Sequence, residues 1–306
     1  MNLTASIVSP TLTDSQLAAL RALVYYNIFN YPLTADELGF KSDLSLDQLV
    51  EKGWIYRTES YYSLTGEFKQ VVRRNKGNQM AKAVMEKAIR RARFIFQFPF
   101  VRGVYISGSL SKGFLAEDGD VDFFVVTAPK RLWLSRSILI LFKKVFLFNS
   151  HKFFCLNYFI DSEHLEIEEK NIFTATELTT LLAICDQQNH EKFAKANEWT
   201  KEFFPTTKMK APLYQSEPDS IVKRVLEFVF SGFIGAWLDK RFMKLTVNHW
   251  KRKFADFEPK DFDVALKSRS YVSKHHPNNF QSKVLKAYQK GLEKFKTQHG
   301  IDLNDI

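Results

Sequence analysis

Two short runs of sequence decide the fold: VYISGSLSKG at residues 104–113 and DGDVDFFVV at residues 118–126. The first is typical of an apolar strand that ends in a Gly-Ser turn. The second places two aspartates at the start of a very apolar strand. Ten residues separate Ser109 from Asp120. A strand, a glycine turn, a short spacer and paired acids together predict a functional site.

The spacing of Asp120 and Asp122 predicts that both carboxylates lie on one face, because residues i and i+2 of a strand point the same way. Two adjacent carboxylates repel each other unless a cation lies between them. Hard oxygen ligands favour Mg²⁺, or Mn²⁺, with the remaining ligands supplied by water and substrate phosphates. A P-loop is excluded because no Gly-Lys-Ser/Thr follows the turn. An EF-hand is excluded because Phe123 and Pro129 occupy its essential positions.

The glycine turn predicts a phosphate-binding loop beside these acids. Gly108 would let the backbone approach a phosphate closely. The Ser109 hydroxyl and neighbouring backbone N–H groups can donate to phosphate oxygens, and Lys112 adds a mobile positive charge. We therefore expect nucleotide binding at this turn.

The whole pattern resembles the signature of the nucleotidyltransferase superfamily, which includes DNA polymerase beta. The matching residues are Ile106, Gly108, Ser109, Asp120 and Asp122. The resemblance covers roughly residues 90–205. It implies a mixed α+β core with a small mixed sheet and flanking helices, and a Mg²⁺-dependent transfer of nucleoside monophosphate from an NTP. It also implies a nucleotide-binding set of Gly108, Ser109, Ser111 and Lys112.

Members of this superfamily usually carry a third carboxylate on a later strand, which here is predicted over Phe153–Ile160. Asn157 stands at the central position, where an acid is expected. Asp161 lies on the same predicted face, about 13 Å further along at ~3.3 Å per residue. Either Asp161 supplies the third acid or Asn157 takes that place without a charge. An uncharged residue there would weaken general-base catalysis.

The chain has 306 residues, with 44 Lys+Arg against 34 Asp+Glu and a net charge of +10. Residues 1–75 have a net charge of −1, residues 76–150 of +8, residues 151–205 of −5 and residues 206–306 of +8. The positive charge thus flanks the predicted site and favours phosphate attraction. The two cysteines exclude a disulfide scaffold and favour a reducing cytoplasm.

The N-terminal residues resemble a winged helix-turn-helix over residues 1–75. The pattern predicts helices over Asp14–Asn30, Thr34–Leu38 and Ser45–Lys52, followed by a hairpin over residues 54–64. Because this segment lacks a basic surface, we favour contact with protein or a regulatory role over contact with DNA.

The rest of the chain is assigned to a core domain at residues 76–205 and a helical domain at residues 206–306. Further helices are predicted over Thr174–Asp186, Glu191–Phe203 and Asp219–Leu245. We interpret the apolar stretch Val225–Leu238 as a buried core helix, and we expect no membrane partner because no stretch reaches ~20 apolar residues.

The sequence therefore predicts a nucleotidyltransferase that acts on an acceptor hydroxyl of a small molecule, an RNA or a protein. The alternative is a catalytically weak or inactive nucleotide sensor whose winged helix contacts protein or DNA. Lys274, His275 and His276 are further candidates for substrate contact. The spacing of Arg269 and His275 is only a weak match to helical ribonucleases.

Overall fold

The structure is a computed structural model, and it describes residues 12–148, 152–186, 189–204, 209, 211–214 and 218–304. The chain divides into two compact units. The larger unit is Lys76–Lys283, and the smaller one combines Met1–Asn75 with Val284–Ile306. The division into three domains at residues 75 and 205 remains a prediction.

The smaller unit combines helices with a three-stranded antiparallel sheet of order β1-β3-β2. Its elements are α1 (Asp14–Asn27), β1 (Leu33–Thr34), α2 (Leu44–Glu51), β2 (Tyr56–Thr58) and β3 (Tyr61–Ser63). Residues 35–39, which include most of the second predicted helix (Thr34–Leu38), form turns instead. The hairpin is present, whereas the winged-helix assignment remains a prediction. Two long helices, α3 (Phe68–Phe96) and α11 (Phe280–His299), contribute residues to both units.

The larger unit is built on a six-stranded mixed sheet of order β7-β4-β5-β6-β9-β8. The strands are β4 (Val101–Ser107), β5 (Asp122–Thr127), β6 (Cys155–Asp161), β7 (Leu182–Asp186), β8 (Ser268–Arg269) and β9 (Val272–Lys274). The β5–β6 pair is parallel and the other pairs are antiparallel. A parallel pair needs a long crossover, which the helix α5 (Leu132–Phe146) provides between β5 and β6.

The helices of this unit lie before, between and after these strands. They are α4 (Gly108–Ser111), α5 (Leu132–Phe146), α6 (Ile172–Thr179), α7 (His190–Ala196), a 3₁₀ helix (Glu198–Glu202), α8 (Ile221–Val229), α9 (Phe233–Lys253) and α10 (Pro259–Ala265). Alternation along the strands separates two cores. Val104, Ile106 and Phe123 pack in one core, whereas Tyr105 and Phe124 pack in the other. The sheet is thus covered on both faces.

Three further expectations about helices are wrong. The segment Thr174–Asp186 forms the end of α6 and then the edge strand β7, which pairs with β4. Asp219–Leu245 is interrupted near Gly232, where α9 begins. Most apolar side chains of Val225–Leu238 are exposed and do not form a buried core helix. Short apolar runs fit a helix or a buried strand equally well, and only their neighbours decide.

The predicted mixed α+β class is confirmed. Both cysteines are buried and form no disulfide. Within the described residues, none of the helices combines the length and apolarity that a membrane crossing requires.

Candidate active site

The glycine turn and one of the paired acids meet at the end of β4. Ser107 pairs with Asp122 across the β4–β5 ladder, and Gly108 follows with φ of +67°. A Cβ on Gly108 would lie 2.4 Å from Oδ2 of Asp122, which is less than any real contact. Glycine is required here both by the left-handed backbone and by the close approach of the carboxylate.

Asp122 is the less exposed member of the acid pair. Burial is the main cause that raises its pKa to about 6, and the nearby carboxylates of Glu177 and Asp120 raise it further. A hydrogen bond from Cys155 and the charge of Lys112 act in the opposite direction. Asp120 is exposed and lies just before the first residue of β5. The site therefore concentrates negative charge that a cation would neutralise.

A bulge in β6 places Asn157 beside Asp122. Phe123 pairs with Leu156 and Phe124 with Tyr158, so Asn157 is the extra residue between them. Its Nδ2 donates to Oδ1 of Asp122 over 2.5 Å. Asn157 therefore stands next to the buried carboxylate.

Asp161 lies at the far end of β6. It pairs with Thr127, whereas Asp122 pairs with Cys155 at the near end. The carboxylate of Asp161 accepts from the backbone N–H groups of Glu163 and His164 at 3.0 Å and lies 2.7 Å from Nδ1 of His164. The structure thus does not bring Asp161 to Asp122. The register shift at Asn157, which the sequence does not reveal, also breaks the simple alternation that placed both residues on one face.

The remaining predicted nucleotide-binding residues surround the Gly108 carbonyl. Oγ of Ser111 donates to it over 2.9 Å, and Nζ of Lys112 donates over 3.0 Å. The same ammonium pairs with Oε1 of Glu177 at 2.8 Å. Ser109 is exposed on the first turn of α4. The residues of the predicted phosphate loop are therefore adjacent, and Lys112 is held at its edge.

A cavity of about 90 Å³ adjoins Asp122. Its lining includes several polar side chains that come from four separate segments of the chain: Asp122, Asn157, Glu169, Glu177, Lys274, His276 and Gln281. Phe124 and Tyr158 stack on one side with their ring centroids 5.1 Å apart. The cavity is thus a mainly apolar niche with a few polar groups, as small-molecule sites are.

Two of the three candidates near residue 275 lie in this cavity. Lys274 is buried, which lowers its pKa, and it donates to Oε1 of Gln281 over 2.6 Å. Burial lowers the pKa of His276 to about 4. His275 instead packs on Trp250, with ring centroids 4.9 Å apart, and lies outside the cavity lining.

Glu177 and Glu169 are residues that sequence reasoning missed. Neither belongs to a motif, and both reach the cavity only because of the way that α6 and the preceding loop pack against the sheet. No local signal distinguishes them from the other acids of the acidic segment at residues 151–205. Their position is a tertiary property.

The fit of the site to a divalent metal can be judged from its donors. No group of three or more His, Cys, Asp or Glu side chains with metal-binding geometry is found in the described part of the chain. Asp122 and Asp120 nevertheless offer two hard oxygen donors, and the neighbouring carboxylates of Glu177 and Asp120 add to the effect of burial in raising the pKa of Asp122. Mg²⁺ commonly binds to one or two carboxylates plus substrate phosphates. The residues present fit a metal that binds together with a nucleotide.

The comparison with known families agrees with this geometry. A family model described as "Nucleotidyltransferase domain" matches residues 85–227. The match covers slightly less than half of the chain and supports the resemblance to the nucleotidyltransferase superfamily drawn from the motif. Neither the comparison with curated proteins nor that with solved structures found a match.

Proposed function

We propose that the protein is a cytoplasmic, Mg²⁺-dependent nucleotidyltransferase that transfers a nucleoside monophosphate from an NTP to an acceptor hydroxyl. The observation that carries the proposal is the contact between Gly108 and the buried carboxylate of Asp122, within a nucleotidyltransferase domain. Mn²⁺ could replace Mg²⁺ at two carboxylates. The acceptor is a small molecule, an RNA or a protein.

In this proposal Asp120 and Asp122 would hold the metal, which would neutralise charge on the phosphates. The turn at Gly108–Ser111 and Lys112 bind the triphosphate through backbone N–H groups, hydroxyls and one ammonium. Lys112 exchanges its contact with Glu177 for a phosphate oxygen. The cavity beside Asp122 receives the acceptor and excludes water from it.

The acceptor oxygen attacks the α-phosphorus, and the bond between this phosphorus and the oxygen that bridges to the β-phosphate breaks. Pyrophosphate leaves with that bridging oxygen, and the acceptor proton passes to a carboxylate of the cavity. Glu177 and Asp122 line the cavity and can accept it, whereas the amide of Asn157 cannot. Asp161 takes no part, because it lies at the other end of β6.

The test is calorimetry of each NTP with Mg²⁺, followed by measurement of pyrophosphate release across an acceptor screen. The wild type and the Asp120→Ala/Asp122→Ala double variant are compared. We expect magnesium-dependent binding and turnover that the double variant lacks. Absence of magnesium-dependent binding to any NTP would contradict the proposal.

Asn157 favours a second candidate function, a nucleotide sensor with little or no turnover. Here the smaller unit, with its winged-helix-like pattern, contacts a protein partner, or less favourably DNA. Because an amide beside Asp122 cannot serve as a base, binding could persist where catalysis is weak. Nucleotide binding without pyrophosphate release across the acceptor screen would favour this sensor.

A further inference from the structure

The helix α8 packs against the rest of the larger unit through its polar side chains. Lys223 is 0% exposed, and its Nζ donates to the carbonyls of Phe96 and Val101, each over 3.0 Å. Glu227 accepts two hydrogen bonds from the guanidinium of Arg102 at 2.8 and 2.9 Å. A surface helix normally buries its apolar side chains and exposes its polar ones. The orientation of α8 is the reverse.

The outward side of α8 is a continuous apolar stripe that extends onto the first turns of α9. We call this surface the α8–α9 face, and it consists of Ile221, Val222, Val225, Phe228, Val229, Phe233, Ile234 and Trp237. Phe228 and Phe233 are each 83% exposed, and Trp237 is 55% exposed. All eight residues are more than half exposed, and a large exposed apolar patch bordered by polar residues marks an interaction site.

The connection between α8 and α9 holds this face in place. Nε of Arg131 donates to the carbonyl of Phe230 over 3.0 Å, and its Nη2 donates to the carbonyls of Ser231 and Gly232. Gly235 lies so close to the turn that a Cβ would come within 1.8 Å of the Phe230 carbonyl oxygen. The turn between α8 and α9 is therefore held in place, and it keeps the apolar stripe on the outside.

The exposed charges that α8 and α9 themselves carry are of one sign. Residues 221–253, all of which the structure describes, contain only two carboxylates. Glu227 is bound to Arg102, and Asp239 is buried and accepts from the backbone N–H of Leu134. The exposed charges of α8 and α9 are basic: Arg224, Lys240, Arg241, Lys244, Lys251, Arg252 and Lys253.

We propose that the α8–α9 face binds peripherally to the surface of an anionic phospholipid membrane. Phe, Trp and Ile side chains bordered by Lys and Arg are the combination that inserts into the headgroup region of such membranes. A basic border gains affinity from anionic lipids, whereas a second copy of the chain would bring like charges together. No helix needs to cross the bilayer. The proposal departs from the sequence expectation of no membrane partner and does not depend on the proposed enzymatic function.

The experiment is flotation of the full-length chain with vesicles of phosphatidylcholine and phosphatidylserine in a 70:30 ratio. We expect binding in 0.1 M NaCl, at least tenfold weaker binding to pure phosphatidylcholine, and weaker binding in 0.5 M NaCl because salt screens the charges. Brominated lipid should quench the fluorescence of Trp237, and Trp237→Phe should remove that part of the quenching.

Paired variants separate the two contributions. Phe228→Ser/Phe233→Ser should weaken binding at least tenfold. Lys240→Gln/Arg241→Gln should weaken it about 25-fold, since each basic residue near the surface contributes roughly fivefold. The matched control is Leu44→Ser, which removes an exposed apolar side chain from the smaller unit and should leave binding unchanged. Circular dichroism and thermal melting establish that every variant is folded.

Three results would overturn the proposal. One is a folded wild type that does not bind the anionic vesicles. Another is vesicle binding that Phe228→Ser/Phe233→Ser leaves unchanged. The third is a dimer, seen by light scattering, that this variant converts to a monomer without any vesicle binding, because a second copy would then occupy the face.

Discussion

Nδ2 of Asn157 donates a hydrogen bond to Oδ1 of Asp122 across 2.5 Å. Asn157 thus gives the carboxylate of Asp122 a neutral hydrogen-bond donor. It does so at the position where the superfamily usually carries a third acid. The contact stabilises the ionised form of Asp122 without adding a second negative charge. It links the bulge in β6 directly to the chemistry of the site.

Asn157→Asp should make stability depend on the metal. A second carboxylate beside Asp122 replaces a donor with a like charge, so the free energy of unfolding should fall by about 1–3 kcal/mol without Mg²⁺. Added Mg²⁺ should restore most of this loss. Urea unfolding with and without Mg²⁺ measures both effects.

Asn157→Ala is the control, because it removes the donor without adding a charge. Its loss of stability should be independent of Mg²⁺. An Asn157→Asp variant whose loss is the same in both conditions would count against a metal at this position.

Gly108→Ala should disturb the site more than its left-handed backbone alone requires. Gly113 has φ of +74°, and a Cβ on it would have no neighbouring atom within 4 Å, whereas a Cβ on Gly108 would meet Asp122. Gly113→Ala should cost about 1–2 kcal/mol of unfolding free energy, the ordinary cost of a left-handed residue. Gly108→Ala should cost more and should abolish magnesium-dependent NTP binding, as measured by calorimetry. Equal effects of the two substitutions would show that the contact with Asp122 is unimportant.

Glu177→Gln should tighten the binding of free ATP. Lys112 pairs with Glu177 at 2.8 Å, so removing that carboxylate charge ends a competition for the ammonium. We expect affinity to rise by about threefold to fivefold, in line with ~1 kcal/mol for a partly exposed pair. Glu169→Gln, in the same cavity but paired with Lys267, is the control. Weaker binding of ATP by Glu177→Gln would argue that Glu177 contacts the nucleotide or its metal directly.

Lys223→Ala should destabilise the docking of α8. Removing the buried ammonium leaves the carbonyls of Phe96 and Val101 without this donor and Asp219 without its partner at 2.7 Å. We expect the free energy of unfolding, measured with urea, to fall by about 3 kcal/mol. Lys240→Ala, on the exposed side of α9, should change stability by less than ~0.5 kcal/mol. A neutral effect of Lys223→Ala would mean that α8 is not held by its polar side.

His275 should make the protein less stable in acid. Burial, followed by the charge of Arg136, lowers its pKa to about 3 in the folded state. As pH falls below ~6.5, the unfolded chain binds a proton that the folded protein does not, so stability present at neutral pH is lost. The difference in the free energy of unfolding between wild type and His275→Gln should change by about 2 kcal/mol between pH 7 and pH 5. His249→Gln is the exposed control, and parallel pH profiles of wild type and His275→Gln would refute the assignment.

The sequence by itself determined the class of the protein and the centre of its site. The order of strand, glycine turn, spacer and paired acids is local, and a local pattern survives folding because neighbouring residues on a turn or strand stay neighbours. Gly108 and Asp122 accordingly meet in the structure, and the match to the nucleotidyltransferase family covers the segment that carries them.

Only the tertiary structure decided what surrounds that centre. The bulge at Asn157 depends on the pairing of β6 with β5, and the approach of Glu177 depends on how α6 packs, so neither leaves a local trace. The strand β7 and the exposed face of α8 differ from the sequence expectations for the same reason. An apolar run fits a helix, a strand, a core or a docking surface equally well, and only its neighbours in space select among them.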